Sequence, residues 1–376
     1  MGKRLLLVGG GHAHMVTLAN LKEFVQRGHT VTVVGPSPYH YYSGMGPGML
    51  GQTYRPEDIR FATRRVVESQ GGVFHTGKAV GVDPVQRTVE LDSGRTLDYD
   101  VVSFNAGSYV PSPSVVSDNQ NLFAVKPIEK LLDAQARVLA LTAAGRVSIA
   151  VVGGGPAAVE IAGNLWRLGR SDGSHGLDIR VFSGEALMAS FPEKVRQKIR
   201  LSLDRRGIEV LEQAFVTEAA DGRIGLQSGR TYQADLIFLA TGVRPATIFK
   251  TSGLPVGPDG GLRVNRHLQC VEHPEIFGGG DCIYFEDRPL DKVGVYAVRQ
   301  NPVLFHNLMA ALEDGSLQEF DPGGDYLLIF NLGDGTGVLH KRWLTLGGRT
   351  AFWVKNAIDV RFMKKFQALE NGSPRR

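Results

Sequence analysis

Cysteine is nearly absent. Cys270 and Cys282 are the only two among 376 residues, and they stand far from any CxxC spacing. That scarcity excludes a disulfide framework and a cysteine-held zinc site, and it points to a reducing compartment. Long apolar runs are also missing, so no segment is expected to span a membrane. The start, Lys3-Arg4-Leu5-Leu6-Leu7-Val8, mimics a signal peptide only briefly, because Gly9-Gly10-Gly11 cuts the run short and leaves a first strand. Neither charge sign dominates: 42 Lys and Arg against 38 Asp and Glu give +4. Without a basic run interleaved with aromatics, this excess argues against a nucleic-acid partner. A composition of 43% hydrophobic and 21% charged residues excludes a disordered chain.

Glycine is abundant, with 47 residues, and some of it is placed twice in the same pattern. Leu5-Leu6-Leu7-Val8 runs into Gly9-Gly10-Gly11-His12-Ala13-His14, and Ile149-Ala150-Val151-Val152 runs into Gly153-Gly154-Gly155-Pro156-Ala157-Ala158. Each reads as a buried strand, a tight turn and a helix start. Glycine lets the backbone turn sharply and approach a pyrophosphate, and the helix start offers free N–H groups to it. Two such turns point to two dinucleotides with electrons passing between them.

The length calls for more than one core. Leu5–Val8, Met15–Arg27 and Thr30–Val34 read as strand, helix and strand. Pro36–Tyr54 reads as loop and residues 57–70 as helix. Val73–Tyr99 reads as short strands and Asp100–Asn105 as a buried strand. Helices are expected over Pro127–Ala144 and Pro192–Arg206, with a second strand–helix–strand unit between, from Val147 to Phe182. Strands are expected at Glu209–Leu211 and Ala234–Leu239. The tail from about Asp325 alternates like strands and ends in an amphipathic stretch.

The order Gly9-x-Gly11, Gly153-x-Gly155-x-x-Ala158, Ala240-Thr241-Gly242-x-Arg244-Pro245 and Gly280-Asp281 resembles the FAD/NAD(P)-binding pyridine nucleotide-disulfide oxidoreductase superfamily over nearly the whole chain. Gly9–His14, Tyr42-Ser43-Gly44-Met45-x-Pro47-Gly48, Gly294–Gln300 and Trp353-x-Lys355-x-x-Ile358-Asp359-x-x-Phe362-Met363 look like a narrower group. That group is similar to the flavoprotein domain fused to selenophosphate synthetase, to type II NADH:quinone oxidoreductases and to sulfide:quinone oxidoreductases. With the sequence ending at Arg376, no synthetase domain is expected.

The resemblance implies an α/β protein with two Rossmann-like dinucleotide-binding domains of the glutathione-reductase kind, the second inserted in the first. The expected division is 1–125 and 251–322 for FAD, 126–250 for NAD(P)H, and 323–376 for a smaller C-terminal region. It implies FAD contacts at Gly9, Gly11, His12, Ala13, His14, Pro36, Ser43, Gly44, Val80, Ala106, Gly107, Gly280, Asp281, Tyr296 and Ala297. The implied NAD(P)H contacts are Gly153, Gly155, Pro156, Ala157, Ala158, Ser183, Thr241 and Gly242. Asp281 suits a ribityl hydroxyl, since a carboxylate accepts from it. Glu160 and Gln300 are the catalytic candidates: Glu160 near nicotinamide and flavin, Gln300 as a donor to a quinone carbonyl. The plain alternatives are a solvated helix charge and ordinary helix packing.

The departures leave several points open. His14 stands where a third small residue is usual. Val33-Val34-Gly35-Pro36 and Val181-Phe182-Ser183-Gly184 lack the ribose-binding acid, so neither NADH nor NADPH is favoured. Cys270 and Cys282 match neither a thiol pair nor sulfane-carrying cysteines, and small buried residues are the simpler reading. His12 and His14 lack partners for a metal site. Tyr39–Tyr42 form either a flavin cover or a surface loop. Phe352–Phe366, with Lys355, Arg361, Lys364 and Lys365, reads either as an interfacial helix at a membrane surface or as a helix docked on the body or on a second subunit of a homodimer.

The expected function is therefore electron transfer from NAD(P)H through FAD to a small-molecule acceptor such as a quinone. The expected location is cytoplasmic, with peripheral attachment at the inner face of a membrane. The alternatives are a sulfide- or selenium-related flavoprotein oxidoreductase and a flavin-binding regulatory protein with little turnover.

Overall fold

The computed structural model describes residues 2–111, 120–171 and 175–370. Along the chain the first strands are β1 (Arg4–Val8), β2 (Thr30–Gly35), β3 (Val73–Thr76) and β4 (Val101–Phe104). They are followed by β5 (Leu122–Ala124), β6 (Val147–Val152), β7 (Leu177–Phe182), β8 (Glu209–Leu211), β9 (Leu236–Leu239) and β10 (Ile276–Gly278). Two five-stranded sheets result, ordered β10-β4-β1-β2-β3 and β5-β9-β6-β7-β8. Every pairing in both is parallel. A parallel sheet is covered on both faces, which is why Leu5-Leu6-Leu7-Val8 and Ile149-Ala150-Val151-Val152 are apolar throughout and buried. Strand β10 returns to pair with β4 after the whole second sheet has been built, so the second unit is an insertion in the first. Each unit also carries a three-stranded antiparallel meander, over 79–98 in the first and 216–233 in the second.

The helices that position the site are α1 (Met15–Ala19), α2 (Leu21–Gln26), α3 (Gly46–Leu50), α4 (Thr63–Glu68), α5 (Lys130–Ala144), α6 (Pro156–Leu168), α7 (Glu193–Asp204), α8 (Gly294–Glu313) and α9 (Arg349–Glu370). The strands β11 (Leu328–Asn331), β12 (Gly337–Lys341) and β13 (Leu344–Gly348) form an antiparallel sheet against α9. No helix among the described residues is long and apolar enough to cross a membrane.

Three local expectations are corrected. The helix expected over Met15–Arg27 breaks at Asn20, whose Nδ2 donates to the Val16 carbonyl at 2.8 Å. Asparagine competes for backbone groups and favours such ends. The helix expected over 57–70 shrinks to α4 behind a short turn, because Arg60–Phe61 is drawn into antiparallel pairing with His40–Tyr41. The loop expected over Pro36–Tyr54 contains α3, whose residues are all buried against α5 and α6. Burial of Met49 and Leu50 there outweighs the poor helix propensity of Gly46-Pro47-Gly48.

Candidate functional site: two dinucleotide cradles

The two glycine turns are built alike. Gly9 has φ +93°, and a Cβ there would lie 2.2 Å from the Asn105 carbonyl oxygen. Gly153 has φ +140°, and its Cβ would lie 2.2 Å from the Ala240 carbonyl oxygen. In both, the chain leaving the central strand passes so close to the neighbouring strand's end that only glycine fits. Asn105 N–H donates to Val8 O, and Ala240 N–H to Val152 O, each at 2.8 Å.

His14 explains its own departure from the small-residue pattern. It is fully buried, with Nδ1 2.7 Å from the Gly9 carbonyl oxygen and Nε2 2.8 Å from Ser103 Oγ. A carbonyl only accepts, so Nδ1 carries the proton and Nε2 takes the Ser103 hydroxyl. Burial pushes the ring down to about 4, the Gly9 contact opposing it, so the imidazole is neutral. His14 thus braces the turn from beneath, while Ala13 is buried beside it.

Residues on α8 hold two turns of the first cradle. Gln300 is 1% exposed, and its Oε1 accepts from Gly280 N–H at 2.7 Å. Asn301 accepts from Val16 N–H at 2.9 Å and donates to the His12 carbonyl. Ala297 is buried and Tyr296 is half-buried against Tyr326. Gly280 has φ +75°, and beyond it Asp281 Oδ2 accepts from Ser108 Oγ at 2.8 Å and Lys126 Nζ at 2.6 Å. Burial raises the Asp281 carboxyl, but Lys126, Ser108 and His12 outweigh it and hold it below the usual range.

Several buried polar atoms around this cradle have no hydrogen-bond partner among the described residues: Asn105 Nδ2, Thr63 Oγ1, His12 Nε2 and His40 Nε2. Asn105 stands between Gly11 and Gly280, and Thr63 stands against Gly10. Unpaired buried donors are costly unless a ligand satisfies them. The cradle therefore offers unsatisfied polar groups to a polar ligand, as a flavin-type cofactor would require. Of the remaining first-cradle candidates, Ser43 and Gly44 lie in the turn before α3, and Ala106 and Gly107 follow β4. Pro36 is exposed at the end of β2, and the Val80 side chain is exposed on the meander.

The second cradle is more open. Among the described residues nothing lies within 4 Å of a Cβ built on Gly155, which caps α6 ahead of Pro156. Ala157 is exposed and Ala158 buried. Ser183 takes the place of the ribose acid and is buried against Gly154. Thr241 and Gly242 are exposed, with Thr241 Oγ1 donating to the Pro111 carbonyl at 3.1 Å. Just beyond, Arg244–Pro245 pairs with Ser108–Tyr109, so the second unit's strand end touches the residue that binds Asp281.

The aromatic loop is not a plain surface loop. His12 packs with His40, Tyr42 and Phe362, the last stacked at 5.8 Å. Burial lowers His12 to about 4 and His40 to about 3. Tyr42 OH donates to Asp359 at 3.0 Å. Lys355, expected on the basic face of the last helix, is a correction: it is 8% exposed and points inward. Its Nζ donates to Asp359 at 2.6 Å and to the Gly44 carbonyl at 2.7 Å. Glu160 is no solvated charge. It is half-buried and accepts from Asn331 N–H at 2.7 Å. Burial raises its carboxyl to about 7, against the pull of Lys355 and the Asn331 N–H.

Sequence reading missed Asn105, Thr63, Lys126 and Asn301, while His40 falls in the aromatic segment Tyr39–Tyr42 that it flagged. No motif flags those four, although each is polar and each lies within or just outside an apolar segment or turn.

Two parallel sheets, each opening through a glycine turn onto a helix, with one inserted in the other, define a two-dinucleotide oxidoreductase. The chain belongs to the pyridine nucleotide-disulphide oxidoreductase family, whose model matches residues 3–308. It is similar to ferroptosis suppressor protein 1 of Taeniopygia guttata, at 23% identity over 99% of this chain and 97% of that one. It is also similar to demethylphylloquinone reductase NdbB of Synechocystis, at 24% identity over 74% of this chain and 71% of that one. In fold it is similar to NDH2 of Plasmodium falciparum solved with NADH, with TM-score 0.82 and 14% identity over 99% of this chain and 97% of that one. The sulfide:quinone oxidoreductase of Aquifex aeolicus gives TM-score 0.78 and 18% identity, covering 98% and 92%.

Proposed function

We propose that the chain is an NAD(P)H:quinone oxidoreductase that holds FAD in the first cradle and receives NAD(P)H in the second. The observation that carries this reading is the pairing of Ser108–Tyr109 with Arg244–Pro245, which joins the two cradles at Asp281. Relatives named for quinone reduction supply the acceptor class. FAD, when bound, supplies the hydride-accepting and electron-passing chemistry. The protein's residues supply position and electrostatics.

Asn105 and Thr63 would donate to the dinucleotide's polar groups, and Asp281 would accept from a sugar hydroxyl. Gln300 and Asn301 would hold the turns that shape the cradle. The Gln300 carbonyl holds Gly280 and so orients the side chain, and its amide N–H is the group that would donate to a quinone carbonyl. Glu160, raised to about 7, is suited to hold or release a proton at neutral pH. The FAD unit expected over 1–125 and 251–322 is corrected at its first boundary, because β5 (Leu122–Ala124) is hydrogen-bonded into the second sheet.

Cys282 is buried and its thiol is pushed up to about 11 by that burial. Cys270 is buried and raised likewise. Neither suits a sulfur-carrying thiolate, which weighs against the sulfide and selenium reading.

The deciding experiment is anaerobic addition of NADH, then NADPH, to purified protein while the flavin spectrum is recorded. Bleaching by either, followed by recovery on addition of a quinone, is expected. A bound flavin that ignores both nucleotides would overturn the reading.

A further inference from the structure

Lys126 lies just after β5, the edge strand of the second sheet. Two other segments of the chain converge on it. Its Nζ lies 2.6 Å from Asp281 Oδ2 and 2.9 Å from Ser108 Oγ, and Ser108 donates to the same Asp281 oxygen at 2.8 Å. The Lys126 and Asp281 side chains are 24% and 15% exposed. The pair adjoins Gly280, whose turn borders the unpaired Asn105. The Lys126 charge also reaches His12 and His40, where it opposes protonation. Burial is what chiefly keeps both imidazoles neutral, with the Lys126 charge adding to it, so the Lys126–Asp281 pair supplies the ionised groups at this end of the cradle.

A half-buried carboxylate disfavours any negative charge added beside it, and water screens it poorly there. Hydride uptake adds two electrons and one proton to a flavin, giving it one negative charge, while NAD(P)H becomes NAD(P)+. Asp281 alone would oppose that step. We infer that Lys126 is a positioning residue that fixes and neutralises Asp281, and so keeps the flavin's reduction potential higher than a bare carboxylate would allow. This rests on the placement of FAD in the first cradle. Removing one partner of such a pair leaves the other as an uncompensated charge.

The test compares the flavin content and midpoint potential of wild type, Lys126→Met, Lys126→Arg and the Lys126→Met/Asp281→Asn double variant. Potentials are measured against equilibrated redox dyes. Lys126→Met is expected to shift the reduction equilibrium at least tenfold toward oxidised flavin, about 30 mV lower for a two-electron couple. Lys126→Arg stays near wild type, and the double variant returns toward it because both charges are gone. A merely structural role would not give that return.

If Lys126→Met releases its flavin, titration with oxidised and with dithionite-reduced FAD supplies the same quantity. The ratio of the two dissociation constants fixes the potential, and reduced FAD should lose at least ten times more affinity than oxidised FAD. An unchanged potential, or equal losses for both forms, overturns the inference. A wild-type protein that binds no flavin overturns the proposed function itself.

Discussion

At the scale of single residues, the site is built from groups whose surroundings contradict their usual chemistry. Glu160 is an acid raised from the usual 4.5 to about 7 by burial, with Lys355 and the Asn331 N–H opposing. Below pH 4.5 the folded and unfolded chains both hold its proton, and the position costs nothing. Between there and about pH 7 only the folded chain holds it, so stability falls as pH rises, and above that the full cost is carried. At about 1.4 kcal/mol for each pKa unit, the cost is capped at about 3 kcal/mol. Glu160→Gln should flatten the fall in Tm across this window, measured by thermal melts from pH 4 to 8. An unchanged slope would show that Glu160 is not the titrating group. His14 offers a second check. His14→Ala leaves the Gly9 carbonyl and Ser103 hydroxyl unpaired and opens a cavity, for a loss of about 3 kcal/mol in denaturant unfolding. A loss below about 1 kcal/mol would deny it the role of brace.

At the scale of elements, α9 is tied to the aromatic loop by charges rather than by apolar packing alone. Tyr42, Asp359, Lys355 and the Gly44 carbonyl form one chain of contacts. Lys355→Met should cost about 3 kcal/mol, because Asp359 is then buried without its cation. Lys355→Met combined with Asp359→Leu should recover most of that loss in the same denaturant series. If the double variant is as unstable as the sum of its parts, the two residues are not a coupled pair. This tie also shows where sequence reading stops. The parallel strands were legible because Leu5–Val8 and Ile149–Val152 are apolar and buried and run into Gly9 and Gly153, whose positions permit no side chain. The inserted unit was legible because its turn repeats the first. Lys355 was not, because helical spacing cannot distinguish a lysine facing solvent from one facing a partner supplied by a loop more than three hundred residues earlier. Helix α3 was hidden for a related reason. Its Gly-Pro-Gly composition signals a turn, and only the closeness of α5 and α6 makes a helix of it.

At the scale of the whole molecule, the C-terminal region presents an apolar surface with positive charge beside it. Trp343, at the turn between β12 and β13, is 85% exposed, and Trp353 on α9 is 70% exposed. Leu344, Leu346 and Ile358 are also exposed, and Arg361, Lys364 and Lys365 lie further along the solvent side of α9. The inner side of the same helix is occupied by Met363, Phe366 and the Lys355 contacts, so α9 both docks on the body and keeps an outer face. A region that exposes both tryptophans and cations has the chemistry suited to the boundary between lipid chains and anionic headgroups. If the proposed quinone acceptor is a long-chain one, contact with a bilayer would bring the cradle to it. Each buried large apolar side chain is worth about 1.5–3 kcal/mol, and about 1.4 kcal/mol is tenfold in binding. The Trp343→Ser/Trp353→Ser variant should therefore bind vesicles containing anionic lipid at least tenfold more weakly than wild type in a flotation assay. Its turnover with a short-chain water-soluble quinone should stay unchanged, while turnover with a long-chain quinone held in those vesicles falls. Equal vesicle binding by wild type and variant would show that the surface serves another contact, and parallel losses with both quinones would place the tryptophans in the fold rather than at the membrane.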